Sequence, residues 1–156
     1  MKIKTTKEEI NIKEARLKEL RDIRESNLKR KEEIYIKYLE ELGIVIDYIK
    51  EKKYYFSHPD FDEVAIGGPI LGKDNKKGIL YIYDVDYGWV KGFDLYNTKL
   101  EPKRTSLYGY FSEYDFEIAM KGLLSLINFQ DEAIETLENH NKETEKIIEK
   151  YEEIIK

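Results

Sequence analysis

Residues 79–96 read ILYIYDVDYGWVKGFDLY, and this stretch decides the fold class. Ile79, Tyr81, Tyr83 and Val85 alternate with Leu80, Ile82 and Asp84, so an extended backbone would send apolar groups to both of its sides. Trp89, Lys91, Phe93 and Leu95 alternate with Val90, Gly92, Asp94 and Tyr96, which gives a second strand. Asp86-Tyr87-Gly88 between them is short enough for a hairpin and supplies a glycine for positive φ. A further strand is expected near 64–71, weakened by Gly67-Gly68-Pro69, with a turn at 74–78. Residues 107–111 are expected to add a fourth strand. Segment 54–112, which holds most of the aromatic residues, thus reads as a small antiparallel sheet of three or four strands.

On either side the period changes to that of a helix. In 113–156, Phe116, Met120, Leu123, Ile127, Gln130, Ile134, Leu137, Asn141, Thr144, Ile148, Tyr151 and Ile155 fall at alternating steps of three and four, a heptad seam. Ser112 and Asp115 resemble a capping box at its start. In 7–53, Ile10, Leu17, Leu20, Leu28, Ile34, Tyr38, Leu42, Val45 and Ile49 follow a looser helical stripe. Gly43 marks the expected break, with a short buried helix over 44–49 beyond it, and Ser26-Asn27 is a weaker candidate. The fold class is therefore α+β: long N- and C-terminal helices in antiparallel, coiled-coil-like packing flank a small sheet, in one domain over 1–156. Fold-back within one chain is the favoured arrangement, and pairing between chains is the alternative.

Composition narrows the function classes. The formal charge of −5 argues against direct nucleic-acid binding. It is unevenly spread: residues 1–53 carry +3 and residues 113–156 carry −7, which favours the two arms as neighbours. The chain has no cysteine and hence no disulfide or thiolate chemistry. No apolar run approaches the roughly 18 residues of a membrane span, and the N-terminus lacks a signal-peptide core, so the cytoplasm is the expected location.

Chemistry-bearing residues are few. Asp84, Asp86 and Asp94 could bring oxygen ligands to a hairpin mouth for a hard cation, although aspartate is equally at home where a strand ends and a turn begins. Pro59-Asp60 followed by Asp74-Asn75-Lys76 echoes a divalent-metal nuclease pattern, but the second element falls in a turn rather than a strand. His58, before a proline, reads as a loop residue, and His140 lies on a charged helix. The glycines at 67, 68 and 72 lack the Gly-Lys-Ser/Thr of a phosphate loop. No catalytic residue, cofactor or metal is assigned. The aromatic residues are more suggestive: Tyr81, Tyr83, Tyr87, Trp89, Tyr108 and Tyr110, interleaved with Asp84, Asp86 and Asp94, would form an acidic, aromatic face for a basic protein partner.

The expected function is accordingly a non-enzymatic protein-binding module whose aromatic-acidic sheet or acidic C-terminal helix contacts the partner, with homo-oligomerisation through the arms as an option. Composition rich in Lys, Ile, Tyr and Asn suggests an AT-rich genome. A phage or mobile-element inhibitor of a host nucleic-acid-handling or defence protein, acting in the host cytosol, is its concrete form. The helix–hairpins–helix order resembles prefoldin in layout, without a shared residue motif, and implies a holdase or assembly factor as an alternative. A small divalent-metal enzyme built on Asp84, Asp86 and Asp94 is the other.

Overall fold

Thr6 starts the first helix. Its hydroxyl accepts from the Glu9 amide at 3.1 Å, and the Glu9 carboxylate accepts from the Thr6 amide at 3.4 Å, a reciprocal cap. The computed structural model describes residues 4–156. Helix α1, Lys7–Glu41, runs unbroken through Ser26-Asn27 and ends at Leu42; α2, Gly43–Glu51, follows at once, so the break falls at the expected glycine. Only Leu28, Tyr35 and Leu39 of α1 are buried.

Six strands follow: β1 Phe56–His58, β2 Phe61–Ala65, β3 Ile70–Asp74, β4 Ile79–Asp84, β5 Trp89–Asp94 and β6 Lys103–Thr105. β1 and β2 form a separate hairpin, and β3-β4-β5-β6 form an antiparallel sheet in that order. The single strand expected over 64–71 is in fact parts of two, separated by Gly67-Gly68-Pro69. Here the backbone bends against β4: the Tyr83 amide donates to Pro69 O at 2.9 Å, and a Cβ on Gly68 would lie 1.8 Å from Tyr83 O. Only glycine permits that approach.

Residues 107–111 are not a strand. They begin α3, Leu107–Glu113, whose Ser106 cap accepts from the Gly109 amide at 2.9 Å. Leu107, Tyr110 and Phe111 are buried together at positions i, i+3 and i+4, a helical spacing that a five-residue window confuses with strand. The edge strand is instead the exposed Lys103–Thr105. Ser112 lies inside α3, and Asp115 alone caps α4, Phe116–Leu124, accepting from the amides of Glu117 and Ile118.

The C-terminal seam is interrupted. A 3-10 turn, Ser125–Asn128, separates α4 from α5, Phe129–Ile155. Four residues wound at about 3.0 rather than 3.6 per turn rotate the following helix by about 80° relative to a continuous one. The stripe that buries Ala119, Leu123 and Leu126 stops at this turn; from Gln130 onward no face of α5 meets the body, and the helix holds no buried residue. α1 packs on α3 and α4 instead. The two long helices flank the sheets as expected, but the antiparallel packing of one against the other within the chain is not formed.

The larger core lies between the helices and one face of the sheet, where Tyr35 meets Tyr83 and Phe111 edge-on at ring distances of 5.7 and 5.9 Å. On the opposite face Ile70, Leu80 and Ile82 make a smaller core under Phe61 and Ala65 of the hairpin. Gly122 lets α4 close onto β3 and His58, since a Cβ there would lie 2.4 Å from the imidazole and 2.6 Å from Ile70 O.

Candidate functional site

Each of the three strand-ending aspartates builds a turn. The Asp74 carboxylate accepts from the amides of Lys76 and Lys77, Asp84 from those of Asp86 and Tyr87, and Asp94 from those of Tyr96 and Asn97. Gly78 and Gly88 close the first two turns at φ of +66° and +74°. The β4–β5 register sets Asp84 opposite Trp89 and Asp94 opposite Ile79, at the two ends of the ladder. Five residues of strand put them about 16 Å apart. Asp84, Asp86 and Asp94 thus share no site, and among the described residues no three His, Asp or Glu side chains converge to hold a metal ion.

Two of these carboxylates are already neutralised. Asp84, 5 % exposed, receives Lys91 Nζ at 2.6 Å. Burial alone would push its carboxyl upward, but the Lys91 ammonium and the Tyr87 and Asp86 amides outweigh that and hold it below the usual carboxylate range. Asp86 is exposed and pairs with Lys50 at the end of α2. The acidic character expected of this face is therefore largely cancelled from within the chain.

Strand parity divides the aromatic residues. Tyr83 and Tyr110 are buried, and Tyr108 is half-buried against the same core. Tyr81 stands between Tyr110 and Tyr114 at ring distances of 5.2 and 4.8 Å; its hydroxyl lies 3.0 Å from that of Tyr114, which donates to Asp74 at 2.9 Å. Burial raises Tyr83, burial raises Tyr110 strongly, and burial with the hydrogen bonds to Tyr81 and Asp74 raises Tyr114 strongly, so all three phenols stay protonated at neutral pH. These tyrosines are architecture. Tyr87 is exposed and Trp89 half-buried beside it, the two stacked with centroids 5.1 Å apart and planes within 8°. The Arg104 guanidinium lies 4.5 Å above Trp89 and the Lys91 ammonium 5.2 Å from Tyr87. Beside them a cleft of about 390 Å³ opens between Val64 and Ile66 on one side and Leu80, Ile82 and Phe93 on the other. What the sheet exposes is aromatic and apolar, bordered by cations.

No family model, no curated protein and no solved structure matches this chain. The site must therefore be read from its own chemistry.

The remaining sequence candidates resolve into structural roles. His58 is 3 % exposed, donating from Nε2 to Ile118 O at 2.7 Å and accepting the Asp60 amide on Nδ1 at 3.0 Å, so it is a buried strut rather than a loop residue. Asp60 pairs with Lys121, whereas Asp74 is held by its own turn amides and Tyr114, so the two halves of the nuclease-like pattern have separate partners. His140 is exposed on α5.

The surface that carries concentrated negative charge is α5. From Gln130 to its end every residue is exposed, and the helix holds nine carboxylates against three lysines. Its apolar residues are exposed as well: Ile134 at 55 %, Leu137 at 61 %, Ile148 at 50 % and Tyr151 at 57 %. The upper part of α1 is similar, with Ile10, Leu17 and Leu20 all exposed. The sequence carries this signal in the charge of −7 over 113–156, which makes the acidic C-terminal helix an expected contact beside the aromatic face.

Proposed function

We propose that the protein is a non-enzymatic protein-binding module that presents α5 to a basic surface on its partner. The observation that carries this reading is the full exposure of an amphipathic, carboxylate-rich helix. A helix of this kind is marginal in water alone, and its free apolar stripe gains stability only by being covered. Glu132, Glu135, Glu143, Glu149 and Glu153 lie away from that stripe and offer a row of carboxylates. Such a row can stand where phosphates would lie in a basic groove, and inhibition of a host nucleic-acid-handling or defence protein by a phage-encoded or mobile-element product is the concrete form of the proposal.

The test is capture from a lysate of the native host by tagged wild-type protein and by a variant with those five glutamates changed to lysine. A protein retained by the wild type and lost by the variant, with the variant's circular dichroism unchanged, supports the reading. Equal capture by both overturns it. Tyr87→Ala with Trp89→Ala serves as the comparison, since loss there alone would move the contact to the sheet.

A further inference from the structure

The apolar stripes of α1 and α5 stand uncovered on the same molecule, and their patterns correspond. On α5 the order is Ile134, Leu137, then the polar pair Asn141 and Thr144, then Ile148 and Tyr151. On α1 it is Leu17, Leu20, then Arg24 and Asn27, and, past Lys31, Ile34 and Tyr38. Each polar block sits mid-seam with apolar layers on both sides, so with the helices parallel Arg24 and Asn27 meet Asn141 and Thr144, and Lys31 lies level with Ile148.

Charge then selects between like and unlike pairing. Beside the α5 seam Asp131, Glu138, Glu145 and Glu152 recur every seventh residue, without a basic interruption. Beside the α1 seam Arg16, Arg30 and Lys37 recur on the same period, with Ile23 between the arginines. In a parallel pair the residue before each a position faces the residue after a d position of the other helix, so α1 against α5 sets Arg16 against Glu138 and Arg30 against Glu152. Two parallel α5 helices set their carboxylates only against Ala133, His140 and Ile147, and two antiparallel ones set carboxylates against carboxylates, so charge selects a parallel α1–α5 pair. The α1 side is also shaped to receive a helix: a groove of about 630 Å³ beside it is lined by Leu20, Ile23 and Phe111 together with Arg24, Arg30 and Lys31.

Within one chain this match is not used. α5 leaves the body beside α2, with Phe129 5.8 Å from the Tyr54 ring, and everything beyond it is exposed. We infer that the occupant of the α1 stripe is α5 of a second copy, reciprocally, so that the chain forms a homodimer through two α1–α5 pairs. This rests on the reading of α5 as a binding helix and adds to it: the seam is covered by the second copy, while the five outward glutamates remain free for the heterologous partner.

The experiment is light scattering coupled to size exclusion at micromolar concentration. The wild type is expected at twice the 18.6 kDa chain mass. A variant with Glu138→Lys, Glu145→Lys and Glu152→Lys, and another with Arg16→Glu, Arg30→Glu and Lys37→Glu, should each run as folded monomers, and an equimolar mixture should return to the dimer. A monomeric wild type, dimers that survive either reversal, or a mixture that stays monomeric overturns the inference. Should a reversed chain fail to fold, Asn27→Cys and Thr144→Cys chains, level with each other in the parallel pair, are mixed and treated with a short thiol-bridging reagent. The chain has no other cysteine, so a mixed two-chain product supports the pairing and its absence overturns it. The outward glutamates are untouched in every variant. A monomeric wild type whose capture still depends on them sinks the dimer alone, and a dimer whose capture ignores them sinks only the proposed contact.

Discussion

Lys91 Nζ lies 2.6 Å from the Asp84 carboxylate, and both side chains are largely buried on the outer face of the sheet. The same carboxylate holds the β4–β5 turn through two backbone amides. One residue thus serves the hairpin, the burial of a lysine and the charge of the face.

Asp84→Asn keeps an oxygen for the turn but removes the charge, leaving Lys91 unpaired. Its cost at pH 7 should be about 3 kcal/mol. The folded carboxyl lies below its unfolded value of about 3.9, so the stabilisation is present above pH ~4 and is lost as pH falls through the folded value. Urea unfolding at pH 7 and pH 3 should show the gap between wild type and variant narrowing at acid pH. A gap that is independent of pH would show that the charge contributes nothing.

Tyr35 is fully buried and its hydroxyl has no hydrogen-bond partner, with burial raising its ionisation well above the ordinary phenol. Tyr35→Phe keeps the edge-on contacts to Tyr83 and Phe111 and removes an unsatisfied polar group. Stability should rise by about 1 kcal/mol, or Tm by about 3 °C. A lower Tm would mean that the hydroxyl is satisfied in solution.

Two glycines should respond in opposite ways to alanine. Gly122→Ala would drive a methyl into Ile70 O and the His58 ring and should cost about 2 kcal/mol or more, although alanine favours helix. A Cβ on Gly43 meets nothing within 4 Å, so Gly43→Ala should be neutral or stabilising by a few tenths of a kcal/mol. Paired thermal melts decide it, and equal effects would contradict the close packing of α4 on β3.

Removal of residues 131–156 should leave the body folded, because α5 contributes only Phe129, which the truncation keeps, to the larger core and nothing to the smaller one. The near-UV circular dichroism of the aromatic core should persist while the far-UV helical signal falls and self-association disappears. Collapse of the near-UV signal would place α5 inside the folding unit.

Much of the architecture was legible because it depends on local pattern. The alternation in 79–96 survives as β4 and β5 nearly residue for residue, and the break between α1 and α2 falls at Leu42, directly before Gly43. Segment 107–111 misled because Leu107, Tyr110 and Phe111 fit either period over so short a window, and only the Ser106 cap distinguishes them. The acidic aromatic face was half legible. Tyr87 is exposed and Trp89 half-buried, but the partners of Asp84 and Asp86, Lys91 and Lys50, come from other elements and carry no local signature.

By itself the sequence determined the two long terminal helices, the β4–β5 hairpin, the aspartates at its turn and the opposite charge of the two arms, since each follows from local composition and spacing. Tertiary structure alone decided which tyrosines are buried, that Asp84 and Asp94 stand at opposite ends of a ladder, and that α5 leaves the body uncovered. Those outcomes depend on strand register and on the direction in which α5 leaves the 3-10 turn, which contacts distant in sequence decide.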